Sequence, residues 1–198
     1  MIILPTEERR AYSSRLGPYV IGSLVLFSLG IVAGILIVDR IPQLADHFAD
    51  TLGHFIQTFA ELPRLRLAAA IFLNNAAKTL LAIVLGPVLG VVPAIFLLAN
   101  GIALAIAMSL SIAARGVWLS VLSIAPHGII ELPAVFLGTS IGLMLGLRTI
   151  AGLRNGSQTI LRHELIRALR YYCTVIVPLL FLAAIVEAFL TSALVAPR

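Results

Sequence analysis

The chain is poor in charge, in cysteine and in lysine. Charged residues make up 12% of its 198 positions, against about a quarter in soluble domains, which excludes an ordinary water-soluble globule. Cys173 is the one cysteine, so neither an intrachain disulfide nor a cysteine metal motif can form. Beside an apolar run it reads as a small filler. Basic residues are arginine with one exception, Lys78. A His-Glu-x-x-His zinc pattern, a serine nucleophile signature, a phosphate loop and a dinucleotide fingerprint are all missing. The net charge of +5 would suit nucleic acid in a soluble chain. Here the arginines cluster at the ends of apolar runs, where they set orientation and meet anionic headgroups. Membrane lipids are therefore the expected partners, and nucleic acid is not.

What is present is hydrocarbon-compatible sequence: 60% hydrophobic residues and a mean hydropathy of +1.07. The composition predicts an all-α, polytopic transmembrane helical bundle of about five spans plus amphipathic interfacial helices, in one integral membrane domain over 1–198. The spans are expected at 18–38, 67–85, 88–109, 127–147 and 172–191. A mixed polar stretch precedes the first, which reads as a retained signal-anchor. Gly30 and Gly34 in that span form a small-residue face on which a neighbouring helix, or a second copy in a homodimer, could pack.

Residues 41–62 place Leu44, Phe48, Leu52, Phe55, Ile56 and Phe59 at helical spacing among Asp46, His47, Asp50 and His54, an amphipathic helix on the membrane surface or against the bundle. His47 with Asp50, or Asp50 with His54, has one-turn metal spacing, but a third ligand is missing and a solvated face explains the pattern. Gly86-Pro87, Gly90 and Pro93 break the long apolar run after it. Val117–Ile124 is too short to cross and is expected as a surface or re-entrant half-helix ending at Pro126. A second, arginine-rich amphipathic segment covers 154–170. Arginines 9, 10 and 15 and the five from Arg148 to Arg170 then share one side, which predicts a multi-pass cell-membrane protein with its N-terminus cytoplasmic and its C-terminus outside.

Ionisable residues inside spans are costly and usually face a partner or a cavity. At about 1.5 Å per residue, Asn74, Asn75, Asn100, His127, Glu131 and Glu187 fall in the outer half of the membrane and Lys78 near its midplane. His127 and Glu131 stand one turn apart on a common face. Three uses are open to this cluster. It can be a hydrogen-bonded plug that fixes helix packing. It can be a proton- or ion-coupled transport site. It can be a zinc site with His127, Glu131 and Glu187 as ligands, though one span histidine and no ligand pattern speak against it.

The segments Phe72-Leu73-Asn74-Asn75, Asn100-Gly101, Pro126-His127-Gly128-Ile129-Ile130-Glu131-Leu132-Pro133-Ala134 and Ala183-Ala184-Ile185-Val186-Glu187-Ala188-Phe189-Leu190-Thr191 make the chain resemble the stage II sporulation protein M (SpoIIM, DUF95) family. That family's last motif commonly reads Glu-Gly-Phe and then Thr-Pro, where Ala188 and Ser192 stand here. The resemblance implies an integral membrane scaffold or assembly factor that works with membrane or envelope proteins, with neither catalytic activity of its own nor a cofactor. It does not imply sporulation. The alternative is a small transporter or channel-like component built on the polar cluster.

Overall fold

The computed structural model describes residues 4–60, 62–155 and 159–191. Its elements are helices: α1 (Thr6–Arg40), α2 (Pro42–Ala60), α3 (Arg64–Val84), α4 (Val91–Arg115), α5 (Val117–Asn155), α6 (Thr159–Tyr171) and α7 (Val177–Val186). Wide π-helical turns, Tyr172–Ile176 and Glu187–Thr191, lead into and out of α7. Five stretches are long and apolar enough to cross a membrane: Thr6–Arg40, Arg64–Val84, Val91–Arg115, Glu131–Leu153 and Leu161–Phe189. Helix is what such sequence must form in lipid, because hydrocarbon offers the backbone no other hydrogen-bond partner.

The first helix starts well before the apolar run. Its 35 residues are about 52 Å long, against a hydrocarbon core of about 30 Å, so the polar first turns stand clear of the lipid. Glu7 and Glu8 in the first turn complement the helix dipole. Pro18, expected to begin the span, lies inside the helix. Three contacts tie this protruding part to α6: Tyr12 and Tyr171 have ring centroids 5.0 Å apart, the Ser13 and Tyr171 hydroxyls share a hydrogen bond at 2.8 Å, and Arg15 Nη2 lies 3.3 Å from Glu164 Oε1. The N-terminal turns and α6 thus share one side of the bundle, the arginine-rich side.

Glycines set the helix contacts. Gly30 lies on Leu98 and Gly101 of α4; a β-carbon at Gly34 would come within 2.7 Å of Ala105 Cβ and 2.8 Å of the Ile102 carbonyl. The register makes α1 and α4 parallel. It also means that the glycine face of α1, a candidate homodimer surface from spacing alone, is covered by α4 of the same chain. Gly138, Gly142 and Gly146 line a second small-residue face on α5. It receives Thr79 and Ala82 of α3 and the tight turn at Gly86–Gly90, where Leu89 and Gly90 have φ of 53° and 73°. Helices α3 and α5 are therefore parallel as well. Antiparallel to them, α7 is pinned by the Tyr172 hydroxyl, which donates to the Ala76 carbonyl at 2.8 Å, and by the Phe72–Phe181 ring pair. Lying against α1, α3, α4, α6 and α7, α5 is the central helix. Ile141, Met144 and Leu145 on it pack with Leu16, Ile83, Ile176 and Leu180 in the apolar core. Inside this core Ser23 and Ser140 hydroxyls meet at 3.0 Å, and Thr139 donates to Ser23 at 3.4 Å.

One expectation is overturned. No half-helix ends at Pro126: α5 runs unbroken through Pro126 and Pro133, and the chain turns instead at Gly116, whose φ is 81°. Each proline removes a single hydrogen bond, whereas a helix end at that depth would leave several donors and acceptors without water. Glycine at the turn adopts the positive φ without a Cβ clash.

Candidate functional site

The Pro126–Ala134 segment lies inside α5, so His127 and Glu131 are one helical turn apart. The side chain of His127 lies outside the described residues. Glu131 is buried, 5% exposed, and Glu187 at the start of the last π-turn is half-buried; both carboxylates make contacts within the chain. Asn74 and Asn75 on α3 are half-buried, with Asn74 Nδ2 donating to Asn75 Oδ1 at 3.3 Å. The three elements touch one another.

Register gives their relative depth. Gly138 lies against both Thr79 and Ile176. Counting at 1.5 Å per residue from that level toward the far side, Asn75 and Asn74 stand at about 6–8 Å, Glu131 at about 10 Å, and His127 and Glu187 both at about 16 Å. Asn74 and Asn75 thus approach the depth of Glu131, and Glu187 that of His127. The glutamates belong to adjacent steps of one polar layer.

Asn100 and Lys78 stand elsewhere. Asn100 precedes Gly101, which packs on Phe27, whose ring meets Phe136 of α5 edge-on. That level is about 8 Å deeper than Glu131, and the Asn100 amide donates at 2.7 Å to Phe96 of its own helix. Lys78 is exposed on the outer face of α3, with no hydrogen bond or ion pair in the chain among the described residues. Among those residues no three His, Cys, Asp or Glu side chains gather as a metal-binding group.

A second polar centre was not anticipated. Glu164 of α6 is buried; its Oε1 accepts a hydrogen bond from Arg15 at 3.3 Å and forms ion pairs with Arg148, in close contact, and with Arg167 at 3.8 Å. Tyr12 lies beside it. In the part of α1 outside the lipid, burial pushes the Tyr12 hydroxyl well above the ordinary tyrosine pKa and the Glu164 charge adds to the shift, so it stays a protonated donor. The sequence held one signal of this centre: Glu164 is the only acid between Arg148 and Arg170.

Compared with protein families, residues 23–192 match stage II sporulation protein M. The chain belongs to this family. The match takes in the second half of α1 and every later helix, and so the whole SpoIIM polar layer. Comparison with curated proteins and with solved structures returns no match. This SpoIIM-family chain is a multi-pass membrane protein by its five apolar helices. In it, the amides of α3 and the carboxylates of α5 and the last π-turn stand on three elements that pack against one another at neighbouring depths.

Proposed function

We propose that the protein is a SpoIIM-like membrane scaffold or assembly factor, without catalytic activity of its own, that holds membrane or envelope proteins against the outer face of α3. Lys78 carries this reading. It is the chain's one lysine and stands on an exposed face with Ala69, Leu73, Ala77 and Leu81. It is about 9 Å from the Val84 end of α3, which faces the side of α6, and about 21 Å from the Arg64 end. Side chains lean toward a helix N-terminus, which for Lys78 is away from the nearer interface. Insertion scales put a charged group at a helix centre at about 2.5–3.5 kcal/mol, so a partner helix with a carboxylate or amide at that depth would relieve a real cost. In this reading the arginine-rich side is cytoplasmic and the C-terminus external.

A small transporter or channel-like component is the second reading, favoured by the burial of Glu131 in the central helix. Reconstitution in liposomes separates the two. A scaffold gives no proton or cation flux above protein-free vesicles. Flux lost in Glu131→Gln or Glu187→Gln, with the variant still folded, would replace the scaffold by a transporter.

A further inference from the structure

We propose that the pocket between the first turns of α1 and α6 is an anion site that takes a phosphate group, carried either by an anionic phospholipid headgroup or by a soluble phosphate compound. The cavity is about 210 Å³ and is lined by Leu4, Glu8, Ala11, Tyr12, Arg15 and Arg167. Tyr12 is 3% exposed, and its hydroxyl has no hydrogen-bond partner, although buried donors are almost always satisfied. The hydroxyl remains protonated for the reason given above and can only improve its position by donating to an acceptor.

Two cations face the same space. Arg15 gives one N–H group to Glu164, and Arg167 stands 3.8 Å from the same oxygen. A guanidinium carries five N–H donors, so both retain donors for a tetrahedral anion, the geometry that arginine recognises well. Around Glu164 three guanidinium groups meet one carboxylate, an excess of positive charge that Glu164 alone does not cancel. Glu8 opposes the ligand, but it is exposed and can turn into water. Arg15 stands three residues before Pro18, where the apolar run of α1 begins. That is headgroup depth, where basic pockets between helices bind lipid phosphates. Leu4 and Ala11 supply an apolar wall for the glycerol side of such a lipid.

The proposal is independent of the scaffold reading and is tested on detergent-purified full-length chain. Native mass spectrometry with phosphatidylglycerol or phosphatidylcholine forms one arm, and calorimetric titration with inorganic phosphate the other. Phosphatidylglycerol retention that falls about tenfold in Tyr12→Phe and in Arg167→Gln, and rises in Glu8→Gln, supports the site. If inorganic phosphate stays silent, the phosphate comes from lipid. If inorganic phosphate binds and loses affinity in the same variants, a soluble compound is the source. Tyr12→Phe removes a hydroxyl that holds nothing in the fold, so its melting temperature without ligand should match the parent. Binding that is absent in both arms, or unchanged in Tyr12→Phe and Arg167→Gln, overturns the proposal.

Discussion

Gly30 of α1 and Gly101 of α4 meet backbone to backbone: a β-carbon on Gly30 would lie 3.1 Å from Gly101 Cα, and one on Gly101 would lie 2.9 Å from Gly30 Cα. Neither helix can yield locally, because the obstructing atoms are main chain. Gly30→Ala and Gly101→Ala should each cost about 1–3 kcal/mol or more by overpacking. Gly22→Ala, with nothing within 4 Å of its β-carbon, should be neutral or slightly stabilising. Thermal unfolding in detergent checks the ordering; equal effects at Gly22 and Gly30 would contradict the packing.

Removing Glu164 leaves Arg15, Arg148 and Arg167 facing one another around an apolar surround. Glu164→Ala should destabilise by about 2–3 kcal/mol, at or below the low end for breaking a buried ion pair because the arginines are partly solvated. The loss should shrink when Arg148→Gln is added, since that substitution removes a repulsive partner. A double-mutant cycle on unfolding free energy reads the coupling.

Because α5 continues through Pro126, that proline holds no turn. Pro126→Leu restores one N–H donor to the helix and should leave the melting temperature unchanged or raised. A sharp loss of folded protein would mean that the chain needs a break there after all.

Glu131 should be sensitive to the loss of hydrogen-bonding capacity rather than to the loss of charge alone. Glu131→Gln should stay within about 1 kcal/mol of the parent, while Glu131→Leu should lose about 1–3 kcal/mol by leaving its neighbours' polar groups without a partner. Yield of monodisperse protein on size-exclusion chromatography distinguishes them.

These contrasts show where the sequence was legible. Five apolar runs of spanning length forced the helical membrane fold, because lipid leaves the backbone few alternatives. The Gly30–Gly34 spacing signalled a close helix contact, yet spacing alone does not tell an internal partner from a second copy. Pro126 misled because the rule that proline ends helices is calibrated in water, where the freed groups find solvent. Glu164 passed unremarked because its Arg15 partner is 149 residues away in sequence. Within the polar cluster, burial separated Glu131 from Lys78, which stands on an outward face of α3 that periodicity in an all-apolar helix does not mark.

The most direct test of the scaffold is photo-crosslinking in native membranes from a benzophenone side chain at Leu81, 55% exposed and one turn from Lys78. The outward face of α3 should give a discrete protein adduct whose partner carries an acid or amide within a membrane span, and Lys78→Met should abolish it while the chain stays folded. Lipid adducts alone, identical with and without Lys78, would contradict a docking surface on this helix.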